Sequence, residues 1–293
     1  MCELTLVNMK DRDLNKTWVK IQAIINSKNN QDGFGLFSNG KLWKTDKPAN
    51  NLIFSNILEK IVDENPILVH VRKSSNYSYS FSTKDKTVIK KVTKEHSHPF
   101  ESQSFILAHN GTLRAFAGTR ANSLEITNKE KIDTQIFLIR LEEEYQKSRN
   151  FIKAINSAMS EFYGKFAFLV FSKDENKFYV VKGATADLYL AEIGNGFLIN
   201  TEFNSLKTSI ALYLNLVGLD TIKRIIPIKE ESIYEVTEGG LNKVGTVKEN
   251  FQKIDLSKYE NCYKWDYDKG KKEKIDTEKS LQKFVKFSER RNK

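Results

Sequence analysis

Cys2 follows the opening methionine directly. Aminopeptidases that remove methionine act before small second residues, so a mature chain beginning with cysteine is expected. Such a residue carries a thiol and a free α-amine together. The amine, with an ordinary pKa of roughly 7.7–8.0, takes the thiol proton near neutral pH. Nucleophile and base then share one residue, as in the pairing of a threonine with an N-terminal amine. A Met-Cys start means little alone, because a catalytic cysteine needs partners elsewhere in the chain.

A thiol that attacks an amide needs hydrogen-bond donors for the oxyanion. The side chain of Asn110 and the backbone N–H of Gly111 offer two, and glycine permits close backbone approach. A free amino-acid head group needs a cation for its carboxylate and an anion for its ammonium. Arg72 offers a bidentate fork and Asp133 a carboxylate. Each residue also has a plainer reading: Arg72 as a surface arginine, Asn110-Gly111 as a turn, Asp133 as a helix N-cap. All four histidines, His70, His96, His98 and His109, lie between residues 70 and 109. They lack a helical pair such as H-E-x-x-H, so no metal site and no cofactor is expected. His98 and His109 read as structural donors behind the site.

The elements that must position these residues follow from periodicity. Glu3–Met9 alternates apolar and polar residues as a strand does. Asp13 is placed as the cap of a helix with Leu14, Trp18, Ile21 and Ile25 on its apolar face. Asn39-Gly40, between two short strands, is a hairpin signal. A helix is expected over Leu52–Glu64, then strands over Ile67–Arg72 and Phe105–His109, each ending in polar residues that a site could use. Helices follow at Thr134–Gln146 and Phe151–Tyr163, the second stopped by Gly164. Further strands are predicted at Phe166–Ser172, Phe178–Lys182, Leu188–Ile193, Phe197–Thr201, Ser232–Val236 and Leu241–Thr246, with a helix at Ser205–Leu216. Short hairpin loops argue against a parallel sheet and for helices covering two stacked antiparallel sheets. The domain is placed at residues 1–246. Residues 247–293 read as a basic, aromatic-containing extension with a short helix near Glu278–Phe287.

At 293 residues the chain can bury a substantial core. Its two cysteines exclude a disulfide framework and a cysteine-based zinc ribbon. No basic and apolar leader opens the chain, and no apolar run approaches the roughly 20 residues that span a bilayer. The expected location is the cytoplasm, with no membrane partner. The net charge of +10 invites a nucleic-acid reading. It is not favoured, because the lysines are interleaved with Glu and Asp and read as a solvated surface.

Behind Cys2 these segments stand in a telling order: Asp32-Gly33-Phe34-Gly35, then His70-Val71-Arg72, His98-Pro99-Phe100 and Phe105–Leu113. In this the chain resembles the class II glutamine amidotransferases, which are N-terminal-nucleophile hydrolases, from Cys2 to about Gly245. The similarity is greatest to the small stand-alone branch of YafJ-like proteins and γ-glutamyl amidases. The resemblance implies an α+β fold, a four-layer αββα sandwich of two antiparallel sheets. It implies that Cys2 attacks a γ-carboxamide to form a γ-glutamyl thioester, which water hydrolyses. Asn110 and Gly111 would hold the oxyanion, and Arg72, Ser75 and Asp133 the substrate. The chain departs from the family in Ser74-Ser75 for Ala-Thr, which keeps a hydroxyl at Ser75. It departs again in Gln135 for a glutamate and in a long lysine-rich stretch over Asn76–Glu95. Thr201-Glu202 matches a further family position to which no role is assigned.

The leading expectation is a glutaminase that supplies ammonia to a separate acceptor protein, with the basic tail as a docking element. A second reading is a γ-glutamyl peptide or metabolite amidase with no ammonia acceptor. A third is a non-catalytic relative that acts as a scaffold or binds nucleic acid.

Overall fold

The computed structural model describes residues 2–10, 12–28, 30–49, 65–73, 79–81, 88–90, 93–194, 196–217, 222–250, 263–266 and 271–274. The chain divides into two compact units, 1–251 and 252–293.

The first unit opens with β1 (Glu3–Met9), α1 (Arg12–Ser27), β2 (Phe34–Ser38), β3 (Lys41–Thr45) and β4 (Ile67–Val71). Two short strands, β5 (Tyr79–Phe81) and β6 (Val88–Lys90), precede β7 (Phe100–Glu101) and the long β8 (Phe105–Ala115). Three helices follow: α2 (Arg120–Thr127), α3 (Asp133–Ser148) and α4 (Phe151–Met159). Then come β9 (Phe162–Ser172), β10 (Lys177–Lys182), β11 (Tyr189–Ile193), β12 (Gly196–Asn200) and α5 (Phe203–Val217). The unit closes with β13 (Ile222–Pro227), β14 (Ser232–Thr237) and β15 (Gly240–Thr246). In the second unit, β16 (Tyr263–Asp266) and β17 (Lys271–Lys274) form an antiparallel hairpin.

Two antiparallel sheets carry the first unit. One has the order β13-β11-β12-β1-β4-β2-β3, the other β15-β14-β10-β9-β8-β7. Side chains alternate across a strand, so each sheet buries two faces. Leu4, Leu6, Leu68, Ala108, Ala167, Leu169 and Ile199 meet in one cluster between the sheets. Val7, Met9, Val69 and Leu198 face the other way and pack with Trp18, Ile21, Leu206 and Tyr213 of α1 and α5. The Trp18 and Tyr213 rings stack there at 4.2 Å. On the far side, Leu113, Phe162, Phe166 and Phe168 pack with Ile136, Phe137, Leu141 and Ile155 of α3 and α4. These three apolar layers make the four-layer αββα sandwich.

The hairpin at Asn39-Gly40 has positive φ at both residues, 43° and 72°, as a two-residue turn of this hand requires. Several expectations need correcting. The helix from Phe151 ends at Met159 rather than Tyr163. Phe162, Gly164, Phe166 and Phe168 follow a two-residue period and pair along β8, so sheet pairing takes the residues that helical spacing claimed. Gly164 lies inside β9 and stops no helix. β8 continues six residues past His109, so Asn110-Gly111 sits within a strand and is not a turn. Asp13 lies inside α1. β7, α2 and β13 are additional elements. The helices expected at Leu52–Glu64 and Glu278–Phe287 lie outside the described residues.

Candidate active site

Three neighbouring strands deliver the first half of the site. β1 pairs with β4 so that Glu3 opposes Val71, which brings the residue before Glu3 alongside the end of β4. Cys2 Sγ lies 3.3 Å from both the N–H and the carbonyl oxygen of Lys73. The thiol donates to the oxygen and accepts from the N–H. On the other side of β4, the Asp32 N–H donates to the Arg72 carbonyl at 3.0 Å and the Arg72 N–H to the Gly33 carbonyl at 2.8 Å. The Asp32-Gly33-Phe34-Gly35 segment thus clamps the backbone of Arg72. Gly35 also leaves room for the His98 carbonyl oxygen, which a Cβ would meet at 1.8 Å. The hydroxyl of Thr201 accepts the Leu4 N–H at 3.0 Å and steadies the start of β1. Glu202 caps α5 through the Ser205 N–H.

The second half of the site lies along β8. Among the described residues, β7 pairs with only Ile106 and Leu107 of β8, which leaves one edge of β8 without a described strand partner from Ala108 onward. Backbone N–H groups face a given edge at alternate residues. Leu113 N–H meets the Asp133 carboxylate at 2.8 Å, and Ala115 N–H meets Glu125 at 3.1 Å. By the same alternation, the Gly111 N–H faces this edge. Asp133 is the first residue of α3, with Ile132 as the cap, so the N-cap reading of Asp133 does not hold. Its carboxylate also accepts the Thr134 N–H at 2.7 Å. Gln135 accepts the Ile132 N–H at 3.0 Å, a capping contact made without the family's charge.

Behind the thiol, His70, His98 and His109 are buried together, with His70 and His98 ring centres 4.2 Å apart. His98 Nε2 lies 3.2 Å and His109 Nδ1 2.9 Å from the Thr134 hydroxyl. His109 Nε2 faces the Lys165 carbonyl at 3.4 Å. A carbonyl only accepts, so His109 carries its proton on Nε2, and Nδ1 accepts from Thr134. The Thr134 oxygen in turn accepts from His98 Nε2. Burial pushes all three imidazoles below their ordinary pKa, His70 to about 3, and so favours their neutral forms at neutral pH. His96 is elsewhere, bonded to Thr93 and to the Glu130 carbonyl.

Burial also raises the Cys2 thiol, opposed by the Lys73 N–H and by the Arg72 charge. A thiol held this way needs a base to ionise it. Burial depresses the Arg72 guanidinium, while Cys2 and Asp32 act in the opposite sense. Glu3 is buried one residue from the thiol, and burial pushes its carboxyl up to about 7.

Cys2, Arg72, His98, His109, Gly111 and Asp133 line one cavity of about 430 Å³. Asn110 is buried in β8 beside Gly111, and Ser75 lies outside the described residues. The sequence reading missed Thr134, which meets two histidines through its hydroxyl and Asp133 through its N–H, and Glu125 and Tyr163 on the cavity wall. The threonine beside a helix-start aspartate was the available signal for the first. Among the described residues, no cluster of His, Cys, Asp and Glu could hold a metal ion. No described helix is long and apolar enough to cross a membrane.

No protein-family model matches the sequence, and no curated protein sequence matches it. Solved structures do match. The glutamine phosphoribosylpyrophosphate (PRPP) amidotransferase from B. subtilis, complexed with ADP and GMP, aligns at a TM-score of 0.54 and 16% identity, over 83% of this chain and 49% of that one. A structure described as the allosteric regulatory enzyme of purine biosynthesis aligns at 0.55 and 17%, over 83% and 48%. The fold is that of the class II glutamine amidotransferases. The chain spans about half the length of these two structures. At this identity the likeness is one of fold, and the residues of the site must carry any chemical reading themselves.

Proposed function

We propose that the chain hydrolyses the side-chain amide of glutamine, or a γ-glutamyl amide, with Cys2 as nucleophile. The observation that carries this reading is the placement of Cys2. Its sulfur is fixed by Lys73 in a cavity that also presents Arg72, Gly111 and Asp133. The head group's carboxylate pairs with Arg72 and its ammonium with Asp133. A carboxylate has about four acceptor positions. The bonds to Leu113 and Thr134 therefore leave Asp133 able to accept from a substrate.

The base in this proposal is the α-amine of Cys2, freed by removal of Met1. Both nitrogens of His109 are committed to Thr134 and Lys165, which supports an amine base over that imidazole. The amine takes the thiol proton, and sulfur bonds to the amide carbon. The carbonyl oxygen becomes an oxyanion held by the Gly111 N–H and the Asn110 side chain. The C–N bond then breaks, and the nitrogen leaves as ammonia, or as the conjugate's amine, with the proton from the α-amine. Water attacks the γ-glutamyl thioester, the acid is released, and the thiol is restored. In this proposal the ammonia passes to a separate acceptor protein.

Ammonia release from L-glutamine by the purified chain tests the reading. We expect turnover that Cys2→Ala abolishes. Equal turnover by that variant, or no release by the wild type from glutamine, glutamine peptides or γ-glutamyl conjugates after its N-terminal cysteine is verified, would overturn it. Amine release from γ-glutamyl conjugates, compared with ammonia from glutamine, tells the conjugate amidase from the glutaminase.

A further inference from the structure

The cavity continues past the head-group anchors. Its wall runs from Cys2 and Arg72 by Asp133 to Arg114, Ala115, Glu125 and Tyr163. Glutamine has ten non-hydrogen atoms. Even at a water's share of about 30 Å³ each, it fills about 300 Å³, less than the cavity's 430 Å³.

The far part repeats the arrangement of the near part. Asp133 sits on the outward N–H of Leu113, and Glu125 sits on the next outward N–H of the same strand, at Ala115. Two strand residues separate these carboxylate anchors by about 7 Å. An added amino-acid unit lengthens a substrate by up to about 3.6 Å, and side chains take up the remainder. Arg114 and Tyr163 are cross-strand partners at this end of the cavity. Arg114 is exposed, where water screens its charge.

We propose that Glu125 binds the ammonium of a residue joined to the α-nitrogen of glutamine, so that the favoured substrate is a short peptide ending in glutamine. Its α-carboxylate stays on Arg72, its peptide N–H bonds to Asp133, and its N-terminal ammonium reaches Glu125. This rests on the reading that Cys2 attacks a glutamine side-chain amide, and it names the substrate class.

The experiment measures ammonia release from L-glutamine, glycyl-L-glutamine and N-acetyl-L-glutamine, with wild type and Glu125→Gln. Acetylation keeps the two added carbons and the carbonyl oxygen and removes the ammonium nitrogen. The variant keeps an acceptor for the Ala115 N–H and removes the carboxylate. The wild type should show kcat/KM at least tenfold higher for glycyl-glutamine than for N-acetylglutamine. Glu125→Gln should bring that ratio close to one. Equal values for the two in wild type, a ratio that survives Glu125→Gln, or a kcat/KM for free glutamine at or above that for glycyl-glutamine would each overturn the assignment. The wild-type comparison stands even if the variant fails to fold. Absence of release from all three substrates would overturn this proposal and, where γ-glutamyl conjugates also release no amine, the amidase reading. Release from free glutamine alone would overturn only the assignment of Glu125.

Discussion

Gly111→Ala should cost both stability and rate, by amounts the structure allows to be worked out. Gly111 has φ of +150°, and an added Cβ would lie 2.0 Å from the Lys165 carbonyl oxygen and 2.7 Å from His109 Nε2. Reaching an ordinary contact of 3.4 Å with that oxygen needs a relative shift of 1.4 Å. Backbone strain at such a φ costs about 1–3 kcal/mol. Loss of the His109–Lys165 hydrogen bond adds about 1 kcal/mol. The sum, about 2–4 kcal/mol, is a large part of a typical domain's 5–15 kcal/mol. Displacing a reacting group by about 1 Å lowers rate about 100-fold, and losing an oxyanion donor lowers it about 100- to 1,000-fold. Urea unfolding at neutral pH measures the first effect. Ammonia release at a temperature where the variant remains folded measures the second. A stable alanine variant with wild-type kcat would refute the assignment of the Gly111 N–H to the oxyanion. A large stability loss with full kcat in the folded fraction would refute it equally.

Asn110→Ala tests the proposed role of Asn110 as an oxyanion donor: kcat should fall about 100- to 1,000-fold with KM little changed, and a change confined to KM would contradict that role. The three buried histidines make stability depend on pH. Their folded pKa values lie below the unfolded value, so the unfolded chain binds more protons and stability falls as pH drops below about 6.5. Glu3, raised to about 7, works in the opposite sense between about 4.5 and 7. Three depressed sites outnumber the one raised site, so the histidines set the direction of the profile. Denaturant midpoints at pH 5, 6 and 7 should decline toward acid, and a level profile would contradict the neutral buried cluster. Arg140 is buried among Glu143, Glu144 and Glu161, so Arg140→Met should lower urea stability by about 3–5 kcal/mol by leaving carboxylates unpaired. A loss below about 1 kcal/mol would mean that water replaces the guanidinium.

The layers of this fold were legible because their signals are local. Alternation gave β1, the Asn39-Gly40 turn gave the β2–β3 hairpin, and helical spacing in α1 named the residues that face the sheet. What escaped depends on partners distant in sequence. Phe162 reads as the end of a helix until β8 lies beside it. Asn110-Gly111 reads as a turn until β9 pairs through it. Of the candidate site, Cys2, Arg72, Gly111 and Asp133 were legible as residue types in order along the chain, and they line one cavity. The wiring of the site was not legible, because the meeting of Thr134 with His98 and His109 depends on where α3 docks against β8. Glu125 gave no signal in one dimension, since only the shared edge of β8 makes its place comparable to that of Asp133.

Intact-mass measurement before and after treatment with 6-diazo-5-oxo-L-norleucine, an electrophilic analogue of glutamine, tests the nucleophile most directly. The account predicts loss of the first methionine and one adduct, mapped to Cys2. Retained methionine with no adduct, or an adduct on Cys262 with Cys2 unmodified, would contradict it.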